Sequence, residues 1–281
     1  MMGGTPGMMR SALRNLGHDQ MILLAPPMSR APVNFDCVHT DSLRHGFLLA
    51  EAQRLRGNIY LRDGAISPHH LSSDGRLVHS HDETSWQLLV MNNEGKVSGC
   101  ARYSPQDHDL QFSQLGIARS ALARSRNWGH RLRQAVEAKR AEARKRGFGY
   151  AELGGWALLE ENRHRGAALR ISLNVYGLMK LLGGALATTT ATFRHRSSTI
   201  LRKMGGYGLL NGGEELPSYY DPQYECEMEI LGFDSDRPNP KYHGWIQECH
   251  RRLKGLTVVC SGLPPAEWRS HEPEFRAEAL N

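Results

Sequence analysis

The stretch that most restricts how this chain can fold lies between residues 148 and 193. Phe148 to Leu159 reads as a strand, RHRGAA at residues 163–168 as a glycine-bearing turn, and about Gly166 to Leu182 as a helix stopped by Gly183-Gly184. Ala168, Ile171, Val175, Leu178 and Leu182 line one face of that helix, while Leu169, Leu173 and Tyr176 cover much of the other. A helix that is apolar on more than one side must be buried. Leu186 to Phe193 (LATTTATF) follows as a further strand, and Ser197 to Met204 as a short helix.

The same signals recur on either side. Phe35 to Thr40 reads as a short strand, and Asp41 as the N-cap of a helix to about Leu55, because Leu43, Phe47, Ala50 and Leu55 recur at helical spacing. Residues 57–81, rich in Gly, Asp, Ser and His, read as a loop. WQLLVM (86–91), the turn Asn92-Asn93-Glu94-Gly95 and KVSGCARY (96–103) form a hairpin signature. A basic helix from about Trp128 to Arg146 ends at Gly147, and Tyr224 to Phe233, Tyr242 to Leu253 and Leu256 to Cys260 follow as strand, helix and strand. The expected organisation is a mobile arm over residues 1–34, one domain over 35–262 and a tail over 263–281.

Composition bounds the function. Five cysteines, odd in number and without a CxxC pair, point to a reduced, cytoplasmic setting and away from a disulfide scaffold. MILLAPPM at residues 21–28 is too short to span a membrane, and no signal peptide is expected. The net charge of +6 is concentrated: residues 119–146 hold ten Lys or Arg against two Glu, a local +8 that leaves about −2 for the rest.

A strand, a glycine turn and a helix start bring unpaired backbone donors and the positive end of a helix dipole to one point, which suits an anion. Gly154 and Gly155 in mid-strand mark a bulge or a close backbone approach. Together they describe a place for a thioester arm: phosphate at the turn, carbonyl facing strand N–H groups that would stabilise an oxyanion.

The order of elements, the Arg163-x-x-Gly166-x-Ala168 turn and the later Ile200 to Gly205 segment resemble the GNAT acyltransferases over about residues 35–260. The resemblance is closest to the N-acyl amino acid synthases and acyl-homoserine lactone (autoinducer) synthases. Arg54-Leu55-Arg56 with Ile59-Tyr60 resembles their LRxxVY stretch, Val97 to Arg102 their strand with a buried arginine, Glu152 their strand glutamate and Asp82 their acidic loop residue. The resemblance implies an α/β GNAT fold, a mixed central sheet flanked by helices, and an acyl-phosphopantetheine donor, carried by acyl carrier protein or CoA, without a metal. It implies catalytic roles for Glu152, Asp82 and Arg102 and a donor site at Trp156, Ala157, Leu158, Arg163, Arg165, Gly166, Ala167 and Ala168. The chain departs from the lactone synthases, which follow the glutamate with Ser-Arg where this chain has Gly154-Gly155, and from acetyl-CoA-using relatives, whose Asn and Tyr align with Arg194 and Leu201.

Several residues read two ways. Glu152 shares a strand face with Tyr150, Gly154 and Trp156, because side chains alternate, and is either an edge carboxylate paired with arginine or the base that accepts the acceptor's proton. Arg102 and Asp82 pair either to shape an acceptor pocket or to tie the structure together. His79, His81, Asp82 and Glu83 lack the further Cys or His a metal site requires. His195 reads as a partly exposed histidine after a strand rather than a catalytic one. The expected activity is transfer of a medium or long acyl chain to the amine of an amino acid or similar acceptor. Arg131, Arg133, Arg140 and Arg144 of the basic helix would face the acidic acyl carrier protein. Rival readings are lactone synthesis from S-adenosylmethionine, short-chain transfer from CoA, and nucleic-acid binding without catalysis; the last lacks interleaved aromatics, with only Trp128 and Phe148 near the basic run.

Overall fold

The computed structural model describes residues 20–27, 34–163, 166–194 and 196–262, with the side chains of 162 and 163 left aside. The first half holds β1 Gln20–Leu24, β2 Cys37–Thr40, α1 Ser42–Arg62, β3 Trp86–Met91, β4 Val97–Gln106, the single turn α2 Ala121–Arg124 and α3 Gly129–Lys145. Next come β5 Gly149–Leu158, α4 Glu160–Arg163, α5 Ala167–Leu181, β6 Ala185–Thr192 and α6 Ser197–Met204. Four short strands, β7 Tyr207–Gly208, β8 Leu210–Asn211, β9 Glu214–Glu215 and β10 Tyr219–Asp221, precede β11 Cys226–Asp234, α7 His243–Lys254 and β12 Thr257–Cys260.

Ten of these strands form one sheet, ordered β10-β11-β6-β5-β4-β3-β1-β12-β2 with β7 beside β11. The pairs β5–β6, β1–β12 and β12–β2 are parallel and the others antiparallel, so the sheet is mixed. On one face α5 and α7 cover the sheet, packing Ile171, Leu178, Ile246 and Leu253 against Leu88, Ala101, Ala151 and Leu231. On the other face α1 lies over the β1–β3–β4 half, through Leu48, Ala52 and Ile59 against Leu24, Leu89 and Cys100. There α3 lies over the β5–β6–β11 half, through Leu132 and Val136 against Tyr150, Leu186 and Ile230. The cores under α1 and α3 are thus separate, and the gap between the two helices lies over β4 and β5.

The periodicity placed most elements, and two departures carry information. Residues 20–24, inside the stretch read as a mobile arm, form an interior strand between β3 and β12, so the folded domain includes them. The helix capped by Asp41, whose carboxylate accepts the Arg44 N–H at 2.9 Å, continues to Arg62 instead of ending near Leu55. Gly57 does not break it. A Cβ there would lie 2.7 Å from the Gly75 carbonyl, so this glycine lets the following loop press directly on the helix.

Lys139 of α3 is 6% exposed, donates to the Tyr207 hydroxyl and lies 4.5 Å from that ring's centre. Burial pushes its ammonium down to about 8 from an ordinary 10.5. The penalty is fully present below pH 8 and disappears as pH approaches 10.5, because above 8 only the unfolded lysine keeps its proton. The stability of wild type relative to Lys139→Met therefore rises by up to about 3 kcal/mol across that window. Urea denaturation of both proteins at several alkaline pH values checks this; a constant difference would show an unperturbed lysine.

Candidate functional site

One side of the site is built around a buried carboxylate. Arg56, on the sheet-facing side of α1, is 0% exposed, and Asp82, in the turn before β3, is 2% exposed. The guanidinium grips the carboxylate with both ends, at 2.9 Å (Nη1 to Oδ1) and 2.6 Å (Nη2 to Oδ2). Gln53, Gln87, Arg102 and the His79 N–H also donate to it, at 3.0, 3.3, 3.1 and 3.1 Å. Each oxygen thus accepts three donors. Burial alone would raise the carboxyl, but the adjacent Arg56, and then Arg102 and Gln53, outweigh it and hold Asp82 well below the usual carboxylate range.

Across β4 stands Glu152 of β5, half-buried and opposite Ser104 in the strand register. Its two oxygens accept the backbone N–H groups of Gly116 at 2.8 Å and Ile117 at 2.7 Å. It is neither unanchored nor, through these contacts, an arginine partner: a tight turn outside the sheet holds it. The turn Ser80–Thr84 that carries Asp82 is fastened to β4 because Ser85 donates to the His81 carbonyl and shares a 2.6 Å hydrogen bond with Ser104. Burial, then Arg102 and Arg56, push His79 down to about 4, and burial and Arg102 also lower His81.

The other side of the site is an opening in the sheet. β5 and β6 pair only from Gly149↔Ala185 to Glu152↔Thr188, after which they diverge. The last link across the opening is the Thr189 hydroxyl, which donates to the Leu153 carbonyl at 2.7 Å. There β5 also bulges, since Arg102 faces Gly154 while Cys100 faces Ala157, so three steps on β5 match two on β4. Gly155 takes φ 61°, and a Cβ on it would meet Arg102 Cβ and Arg56 Nη1 at 3.1 Å each. The bulge resets the alternation. Trp156 therefore packs against the α5 cluster on the opposite face from Tyr150, correcting the expectation that it shares the face of Glu152.

Beneath the opening is a small pocket lined by Arg102 and Gly154 and by apolar residues such as Ile171, Val175, Leu201 and Phe233. Trp156 also lines it, and its indole N–H is buried without a hydrogen-bond partner among the described residues. Ala157 and Leu158 continue the β5 edge and are buried. At the start of α5, Gly166 is exposed with φ 73° and caps the helix through its backbone conformation alone, ahead of Ala167 and the half-buried Ala168. The first amides of that helix have no intrahelical acceptor. Arg165, His195 and the side chain of Arg163 lie outside the described residues.

The basic helix divides differently from expectation. Arg140 is 2% exposed, donating to Glu137 and to the carbonyls of Asp107, His108 and Leu110, so it cannot face a partner. Arg131, Arg133 and Arg144 are exposed; Arg131 pairs with Glu214 at 2.9 Å, and Arg144 reaches the His108 carbonyl. Among the described residues no group of three His, Cys, Asp or Glu is placed to hold a metal.

The sequence reading brought Asp82 and Arg102 together, and they meet at 3.1 Å. It missed Gln53 and Gln87, which carry no motif, and the Gly116-Ile117 amides, which no side-chain pattern could reveal. Arg56 does carry a signal, a charged residue at a helix position that repeats the apolar spacing of Ala52 and Leu55.

Removing one partner of a buried pair strands the other charge. Asp82→Ala should destabilise the protein by about 3–5 kcal/mol at neutral pH. The folded carboxyl lies below its ordinary 3.8, so its contribution is complete above that value and fades as pH falls beneath it. The gap between variant and wild type in denaturant titrations should accordingly narrow from pH 5 towards pH 2; a gap that stays constant would assign the loss to packing.

No protein-family model matches the chain, and no curated protein matches it. Solved structures do. The CoA-dependent acyl-homoserine lactone synthase BjaI with MTA aligns at 14% identity and TM-score 0.52, covering 90% of this chain and 99% of that one. The same synthase with SAM and isopentyl-CoA aligns at 14% identity and TM-score 0.51 over the same shares. FeeM, an N-acyl amino acid synthase from uncultured soil microbes, aligns at 13% identity and TM-score 0.41, covering 66% of this chain and 83% of that one. The likeness to BjaI runs through nearly its whole length, so the chain has the GNAT-type fold, a mixed sheet flanked by helices.

Proposed function

We propose that this protein is an N-acyltransferase that moves an acyl group from a phosphopantetheine thioester to the amine of an amino acid or similar acceptor. The observation that carries the reading is the opening between β5 and β6, with an apolar pocket beneath it whose lining includes Arg102. A thioester arm entering the opening lies along the β5 edge at Trp156, Ala157 and Leu158, its phosphate at the start of α5 near Arg163, Arg165, Gly166, Ala167 and Ala168. The acyl chain fills the apolar pocket, and the partnerless Trp156 N–H supplies a donor to the arm. Burial of the chain anchors the donor while the backbone positions the reacting carbonyl.

At the pocket wall Arg102, fixed by Asp82, orients the acceptor, and Glu152 is the negative end of the path along which the ammonium proton leaves. One feature favours amide formation over lactone synthesis. Gly155 sits where the lactone synthases resembled carry an arginine, and its positive φ and 3.1 Å neighbours make a side chain there strained. The donor enters as acyl carrier protein or CoA; exposed Arg131 and Arg133 of α3 offer the acidic carrier protein a basic surface, joined by Arg144.

Two measurements test this reading. Cells expressing the protein should accumulate N-acyl amines detectable by mass spectrometry of lipid extracts; extracts matching those of an empty-vector control, from folded protein, would refute it. Arg131→Glu with Arg133→Glu should raise the apparent KM for acyl carrier protein donors at least about tenfold at low salt, an effect that salt suppresses, and leave acyl-CoA use nearly unchanged. Equal changes with both donors would move the carrier surface elsewhere.

A further inference from the structure

The proton on the acceptor ammonium must leave before nitrogen can attack. Glu152 is poorly placed to take it alone, because both of its oxygens already accept backbone N–H groups at 2.7–2.8 Å. His81 lies within reach of its charge. The Ser80–Thr84 turn that carries His81 is fastened through Ser85 to Ser104, the strand partner of Glu152. His81 Nε2 is buried without a hydrogen-bond partner among the described residues, and a buried polar atom left in that state in a native fold calls for an explanation.

The charged groups around the imidazole come from every neighbouring element: Arg102 on β4, Glu152 on β5, Arg119 in the turn after Ile117, and Asp82 with His79 on its own turn. Burial, Arg102 and Arg119 disfavour the imidazolium, whereas Glu152 and Asp82 favour it. The ring thus rests neutral and able to accept, with a fixed carboxylate nearby to stabilise the charge it acquires.

Resting on the acyltransfer reading, we infer that His81 is the base that takes the proton from the acceptor ammonium, and that Glu152 stabilises the imidazolium formed. The ammonium gives one proton to the imidazole, and the freed lone pair forms the C–N bond. The C–S bond breaks on collapse, and the thiolate takes the second proton that nitrogen gives up. The imidazolium returns its proton to solvent. The products are the amide and the free thiol.

The test uses the full chain, octanoyl-CoA and octanoyl acyl carrier protein as donors, and two acceptors at neutral pH: a mixture of amino acids, whose amines are protonated, and hydroxylamine, which is already neutral. His81→Gln should lower kcat/KM for amide formation by roughly 10²–10⁴-fold and leave hydroxamate formation within a few fold of wild type. Raising the pH should restore the variant with amino acids as they lose their protons unaided, while wild type keeps its rate towards acid until His81 itself is protonated. Equal loss with both acceptors, or no loss with either, overturns the role of His81 and leaves acyl transfer standing. Wild type that forms neither amide nor hydroxamate overturns acyl transfer and this role together. Hydroxamate formation by the variant also reports that it is folded.

Discussion

Burying a charge costs several kcal/mol unless it is paired and fully hydrogen-bonded, and this fold buries two at one point. The Arg56–Asp82 pair offsets that cost only because six donors converge on the carboxylate. Those donors come from α1, the loop before β3, β3 and β4, so each element must be in register before the charge is satisfied. An apolar pair of the same volume would hold these elements at least as firmly. What the ionic pair adds is direction: it fixes the guanidinium of Arg102, whose free side looks into the pocket.

The centre of the sheet runs on the opposite logic. Strands normally gain by pairing along their whole length, yet β5 and β6 part after four residues, and β5 bulges against β4 at the same level. The lost ladder is replaced by packing. α5, buried on nearly every side, bridges the opening from below, while Glu152 is tied to a loop at the last paired position. Backbone groups left without a strand partner, a buried indole N–H and an apolar floor occur together because one interruption produces all three.

How much of this was legible depended on whether the signal was local. The amphipathic helices, the hairpin read over 86–103 and the glycine turn at 166 depend on residues within a few positions of one another, and apart from the longer α1, whose Leu43 and Phe47 are exposed, each stands within a few residues of its expected place. β1 was missed because a five-residue apolar strand has no periodicity of its own; only its partners, near residues 89 and 258, define it. The face of Trp156 was misread for a related reason, since alternation holds until a bulge shifts it, and Gly154-Gly155 signals a bulge without fixing its register. In the site, charged residues with a motif were found and their neutral supports were not: an amide of Gly116 or Gln53 leaves no mark in the sequence.

The sheet order also sets a schedule for making the protein. β1 precedes every other described strand in the chain and β12 follows them all, yet they lie side by side, and β12 alone joins β2 to the rest. Until the ribosome has released β12, β1 has an exposed edge and β2 has no partner at all. Contacts of such long sequence separation form slowly, and unpaired edges invite association between chains. The last described strand therefore acts as a closing seam, and a nascent chain halted before it would hold most of the helices and most of the site while keeping an adhesive edge open.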